Sequence, residues 1–319
     1  MHNRYPMVDI AKLFCSLLVV LIHVYEIRGS SLIGDTIVYS VAQQAVPFFF
    51  MVSGFFINDK LNNREYIKKY LLHLLLVYGI WVVIWLPSII KIYANRSTST
   101  IQMVILIIRR VLFSGYGVYW YLLVLAETVL IIWFFRNRLK ALIPVAFVGL
   151  ALCYVYDLNL IAPVKTAFYY VFSWSNNVIM NGLPFTIIGI MVKRHLQYHT
   201  INRSILLLSY GVINIIDIIL FHMTGYAILS LLEAFFLLLL SIQLWHFPCN
   251  TTRLRNISSV FYLIHTIIIY LIIDPLLGVD GSLWVRFIIV VFLASISYIV
   301  IVKINNKWIN HLMLISVKQ

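Results

Sequence analysis

The chain has 319 residues, 62% of them hydrophobic and only 11% charged, with a mean hydropathy of +0.96. Soluble domains run at roughly 45–50% apolar and about 25% charged, so a soluble globular protein, a disordered chain and a disulfide scaffold are excluded. The formal net charge of +13 falls between apolar runs, which reads as topology charge rather than as nucleic-acid binding.

Continuous apolar runs lie near 8–27, 37–57, 69–90, 118–135, 141–157, 177–192, 203–221, 226–246, 257–273 and 283–303. A transmembrane barrel would alternate apolar and polar residues, and these runs do not. Backbone groups in hydrocarbon must bond within their own segment, so the runs predict helices. The expected fold is an all-α, polytopic membrane protein of about ten spans, with residues 1–319 forming one domain. Asp9 and Lys12 interrupt the first run and no small-residue cleavage site follows, so the first span is expected to be retained rather than removed as a signal peptide. Residues 101–113 are apolar but too short to cross comfortably at about 1.5 Å per residue. They predict an interfacial or re-entrant helix, and 161–175 resembles them. Cys15, Cys153 and Cys249 have no spacing that points to a metal site or a disulfide framework.

Ionisable groups inside spans cost several kcal/mol, so each is a functional candidate by default. They are Asp9, Lys12, His23, Glu127, Asp217, Glu233 and His265. Lys12 and His23 are eleven residues apart, hence on one helix face and about 16 Å apart along the axis. A cation near the inner end and an imidazole further out suit a ligand with an anionic end and a reactive end. The plainer alternative is a snorkelling lysine and a hydrogen-bonded structural histidine. In the second span, AVPFFFMVSGFFI, Pro47 and Gly54 predict a kinked helix in which Ser53 lines a passage, or else ordinary packing through small residues. Trp120 and Glu127 share a face in the fourth span, and Glu127 needs a basic partner. Tyr262 and His265 are neighbours at i, i+3 in the ninth, and Asn214 and Asp217 in the seventh, with Glu233 able to partner either. These groups read as a helix-gluing network, a proton path or a binding site. No P-loop, G-x-G-x-x-G, H-E-x-x-H or G-x-S-x-G pattern occurs.

Together these segments resemble the acyltransferase family 3 of integral membrane acyltransferases. The opening RYPMVDIAKLFCSLLVVLIH carries Arg4, Asp9, a basic residue and, after ten residues, a histidine. VPFFFMVSGFFI at 46–57, VYWYLLVLAE at 118–127 and FYLIHT at 261–266 are similar to later motifs of that family. The resemblance implies transfer of an acyl group, usually acetyl, from cytoplasmic acyl-coenzyme A to a hydroxyl of a surface carbohydrate or lipid-linked acceptor. It implies His23 as the essential residue, acting as base or acyl carrier, with Lys12 in donor binding. Glu127 is assigned to orienting the histidine, and Arg4, Asp9, Ser53, Trp120, Tyr262 and His265 to contacts with donor or substrate. No bound cofactor and no metal are expected, and the implied location is the plasma membrane. The family usually has arginine where this chain has Lys12. Lysine is a point charge that cannot grip phosphate bidentately. The lysine also resembles the membrane half of the membrane-bound serine racemases of vancomycin resistance, whose implied role is supplying serine. A transport-type module for a small solute such as serine is therefore the alternative.

With both termini cytoplasmic, 16 Lys and Arg face the cytoplasm and 7 face outward, Lys12 lying within the first span. The expected outcome is that residue 138 is cytoplasmic and residue 280 is outside. Single cysteines at these positions, in a background without native cysteines, are tested with an impermeant thiol reagent on intact cells. Labelling at 138 but not at 280 would reverse the orientation.

Overall fold

The computed structural model describes residues 5–25, 32–95, 97, 99–157, 177–196, 199, 201–243, 250–277 and 282–315. In chain order its helices are α1 (Pro6–Tyr25), α2 (Leu32–Tyr39), α3 (Ala45–Ile57), α4 (Arg64–Ala94), α5 (Thr100–Arg109), α6 (Trp120–Phe134) and α7 (Leu142–Asp157). These are followed by α8 (Leu183–Met191), α9 (Arg203–Thr224), α10 (Ser230–Gln243), α11 (Thr252–Ile268), α12 (Asp274–Leu277), α13 (Leu283–Ile304) and α14 (Lys307–Leu312). There is no strand among the described residues. Eight helical stretches are long and apolar enough to cross a membrane. Within the described residues, the expected run at 226–246 contains α10. The run at 177–192 appears as α8 flanked by wider π turns at Val178–Gly182 and Val192–Leu196. The chain is an all-α, multi-pass membrane protein.

The exposed surface carries the same message. Along α9 and α13, Leu208 (68% exposed), Ile288 (64%) and Phe292 (61%) present bare aliphatic and aromatic side chains. Apolar surface on that scale is stable only against lipid or another protein.

The chain divides into two compact units. Unit 1 comprises residues 1–52 and 194–319, and unit 2 comprises 53–193, so the boundary falls inside α3. In unit 1, α1 packs against α11, α10 and α13, and α9 packs on α10. In unit 2, α4 packs on α6, and α7 packs on α8 and on the π turn before it.

Several elements start where side-chain chemistry dictates. Asn63 caps α4 by accepting from the Tyr66 amide at 2.9 Å, which starts that helix earlier than its apolar run. Ser99 caps α5, accepting from the Gln102 amide at 3.2 Å. The segment 101–113 is helical as expected, as α5 followed by a π turn at Arg110–Ser114. Tyr78 of α4 donates to the Val111 carbonyl at 2.6 Å and holds this segment in unit 2. Gly115 follows at φ +68°, where a Cβ would stand 2.3 Å from the Trp120 Cα, so the entry to α6 requires glycine. The similar segment 161–175 lies outside the described residues.

The second expected span is corrected in one respect. It is not one kinked helix but α2, a tight 3₁₀ turn at Val41–Gln44, and α3. Pro47 falls in the first turn of α3, where a missing amide hydrogen costs no helical bond. Gly54 does what close packing requires. A Cβ there would lie 2.0 Å from the Thr186 carbonyl oxygen of α8.

Gly54→Ala should therefore destabilise the protein by about 1–3 kcal/mol, since the obstacle is backbone and cannot rotate away. Gly79→Ala is the control, because nothing lies within 4 Å of its Cβ position. Thermal unfolding of both variants in detergent should show a lowered midpoint for the first only. Equal midpoints would contradict the close approach.

Candidate active site

The first and ninth expected spans meet in unit 1 as α1 and α11. Along α1, Asp9, Lys12, Ser16, Val19 and His23 recur at intervals of three and four residues. Along α11, Thr251, Arg255, Ser258, Tyr262 and His265 do the same. That spacing lines up one face of each helix. Three contacts join the two faces in register. Thr251 Oγ1 donates to Asp9 Oδ2 at 2.6 Å. Ser258 Oγ donates to the Lys12 carbonyl at 3.0 Å. The rings of His23 and His265 lie 5.2 Å apart, inclined by 32°. The residue numbers rise together along both helices, so α1 and α11 run parallel.

At one end of the seam is a cluster of charge. Asp9, Lys12 and Arg255 are all half-buried. Asp9 and Arg255 are the two charges that act on Lys12. Arg255 sits between Thr251 and Ser258 on the face turned to α1, and its Nε is buried without a hydrogen-bond partner. Among the described residues, Lys12 and Arg255 face the carboxylate of Asp9, which is already engaged by a threonine hydroxyl. The local excess is positive.

At the other end are the imidazoles. His265 is fully buried, and its Nδ1 lies 2.8 Å from the Phe261 carbonyl oxygen one turn earlier. A carbonyl can only accept, so Nδ1 carries the hydrogen. In the neutral ring Nε2 then presents a lone pair, and this atom is buried without a partner. His23, half-buried, lies beside it. The charged end and the imidazole end are eleven residues apart on α1 and ten on α11, or about 15–16 Å along the axes.

The other expected site residues fall elsewhere. Tyr262 lies on the α11 face of the seam, half-buried. Ser53, Trp120 and Glu127 belong to unit 2. Ser53 Oγ pairs with the Tyr121 hydroxyl at 3.0 Å, and Trp120 opens α6 against Gly115. Glu127 is half-buried on α6. Among the described residues of unit 2, no basic side chain forms an ion pair with it. Arg4 and Cys249 lie outside the described residues. Asn214 and Asp217 do not pair with each other: Asn214 Nδ2 donates to the Tyr210 carbonyl at 2.9 Å, and Asp217 accepts from Ser40 and from two backbone amides.

Sequence reasoning missed Arg255, Thr251 and Ser258. Arg255 was counted only as a loop charge. The signal was available in the spacing, because it lies ten residues before His265 much as Lys12 lies eleven before His23. In unit 2, Lys193 was likewise counted as a loop charge. It pairs with Asp59 at 3.1 Å and sits 4.7 Å from the centre of the Phe55 ring, tying the end of α8 to the end of α3.

The model of acyltransferase family 3, described as an acyltransferase domain, matches residues 5–303. The chain belongs to this acyltransferase family. Its expected motifs on α3, α6 and α11 lie within the match, as does the opening motif from Tyr5 onward. Two curated relatives, both named amino-acid racemase and both from Enterococcus faecalis, are also similar. One is 24% identical over 96% of this chain and 47% of its own length. The other is 31% identical over 36% of this chain and 16% of its own length. The chain thus spans about half the length or less of these relatives. No solved structure matches it.

If Asp9 and Thr251 set the register of the seam, Thr251→Val should lower the unfolding midpoint in detergent. The lost charge-assisted bond is worth about 1.5–3 kcal/mol. Thr251→Ser should keep most of the stability, because it keeps the hydroxyl. A valine variant as stable as the parent would show that the bond contributes nothing.

Proposed function

We propose that this acyltransferase family member moves an acyl group, acetyl in the simplest case, from acyl-coenzyme A to a hydroxyl of a cell-surface carbohydrate or lipid-linked acceptor. One observation carries the reading. The seam between α1 and α11 has a cationic end at Lys12 and Arg255 and an imidazole end at His23 and His265, about 15–16 Å apart. Coenzyme A has the complementary form, with phosphates at one end of an extended pantetheine arm and the reactive thioester at the other. Lysine alone supplies a point charge. Arg255 adds the planar fork that Lys12 lacks.

The chemistry needs positioning and one mobile proton. A neutral His23 accepts the proton of the acceptor hydroxyl as its oxygen bonds to the thioester carbonyl carbon. The carbon–sulfur bond then breaks, and the leaving thiolate takes the proton back from the imidazolium. The ester and free coenzyme A are the products, and the imidazole is restored. The lone pair of His265 Nε2 offers a second station for that proton beside His23. General-base assistance of this kind is typically worth about 10²–10⁴-fold. In this reading both termini are cytoplasmic in the plasma membrane, and the donor enters from the cytoplasm.

The relatives named amino-acid racemase favour a second reading, passage of a small solute such as serine through a transport-type module. The two readings separate in one experiment. Purified protein is supplied with labelled acetyl-coenzyme A and a panel of acceptors, and serine uptake into vesicles is measured in parallel. His23→Ala and His23→Gln should both abolish transfer while still inserting, since glutamine keeps hydrogen bonding but cannot take a proton at neutral pH. Lys12→Ala and Arg255→Gln should each raise the donor KM by about ten- to a hundredfold, the equivalent of one charge-assisted contact, while Lys12→Arg keeps activity. Uptake by the parent protein without thioester consumption would overturn acyl transfer.

A further inference from the structure

The seam leaves one buried acid of unit 1 unused. Glu233 lies in the first turn of α10, fully buried, and neither of its carboxyl oxygens has a hydrogen-bond partner. Its neighbour Asp217, on α9, is equally buried but fully engaged. Asp217 Oδ1 accepts from the amides of Ile228 at 2.8 Å and Leu229 at 2.7 Å, and Oδ2 accepts from Ser40 Oγ at 3.0 Å. Three donors on one carboxyl group, each meeting an acceptor, is the pattern of a carboxylate. Asp217 thereby caps the segment that leads into α10. Glu233 follows one turn later, its own amide donating to the Leu229 carbonyl at 3.0 Å, and the charge of Asp217 acts on it directly.

The elements packed on α10 are α9, α1 and the 3₁₀ turn at Val41–Gln44. From α9 come Asp217 and Tyr210, whose phenol lies within electrostatic reach of both Glu233 and Cys15. That phenol donates to Gln44 Oε1 at 2.9 Å, which leaves its oxygen able to accept. From α1 comes the thiol of Cys15, and from the turn and the residue before it come Gln44 and Ser40. None of these groups carries positive charge. Two buried carboxyl groups on neighbouring helices, within electrostatic reach of each other in an apolar interior, cannot both be negative without a counter-charge. Helix gluing does not explain Glu233, because among the described residues its carboxyl oxygens have no hydrogen-bond partner.

We propose that Glu233 is the acceptor of a site for one positive charge taken up from water, a proton or a small alkali ion such as sodium. Its two open oxygens supply the charge, and the hydroxyl oxygen of Tyr210, within electrostatic reach, is a further hard donor. Acids held inside membrane proteins without a fixed basic partner mark ion pathways and proton relays. The site gives unit 1 a means of responding to the ion gradient across the membrane. It does not depend on the acyl-transfer reading, since none of its residues belongs to the seam.

The test uses the full chain in detergent and dicyclohexylcarbodiimide, which modifies carboxylic acids that are protonated in apolar surroundings. Peptide mass spectrometry locates the adduct. The expected result is labelling on Glu233 that slows severalfold as pH rises and is absent from Glu233→Gln. Slowing by sodium, but not by choline at equal ionic strength, assigns an alkali ion to the site. A response to pH alone assigns the proton. No adduct on Glu233 at any pH, or an adduct indifferent to both pH and sodium, would overturn the proposal. The location of the adduct in the parent protein decides the matter even if the glutamine variant fails to fold.

Discussion

A polar side chain carried into hydrocarbon must find a partner there or cost several kcal/mol. Along α1 and α11 that demand is met in part by the other helix. Asp9 meets Thr251, the Lys12 carbonyl meets Ser258, and His23 meets His265. Each contact is short-range, but the three share a heptad-like spacing, so satisfying one aligns the rest. The register of the two helices is therefore set by polar chemistry rather than by the aliphatic residues between, which would tolerate sliding.

The same alignment sorts function along the axis. Charges near a span's end can reach water, so Lys12 and Arg255 can be held together there with only one carboxylate between them. The imidazoles of His23 and His265 lie deeper in the span, side by side. The buried Nδ1–H of His265 is spent on the Phe261 carbonyl, and that one bond decides which nitrogen carries the hydrogen. Acyl transfer, as proposed above, would use this gradient from charge to imidazole, and the chain's family is an acyltransferase family.

Unit 2 is built on a different economy. Its helices come together through absent side chains: Gly54 admits the Thr186 carbonyl, and the pairing of Lys193 with Asp59 closes the same two helices at their ends. Among its polar side chains, Ser53 of α3 is paired with Tyr121 of α6. In unit 1, by contrast, Glu233 stands without a partner next to an acid that has three. A carboxyl group in that position costs stability that packing alone does not return.

Sequence alone determined the fold class, the positions of the spans and the pairing of charge with imidazole on α1. Those follow from hydropathy and helical period, which are properties of one segment at a time. It also marked Gly54 and His265 as residues to watch. It did not reveal that the run at 37–57 breaks at Val41–Gln44, because a 3₁₀ turn made of Val, Ala and Gln has no breaker residue to announce it. It left Glu127 expecting a basic partner and Asn214 expecting Asp217, since spacing says which residues share a face but not what lies opposite. Arg255 and Thr251 looked like loop residues for the same reason. Only the tertiary structure turned their face toward α1, because partners across helices are chosen by packing between segments far apart in the chain.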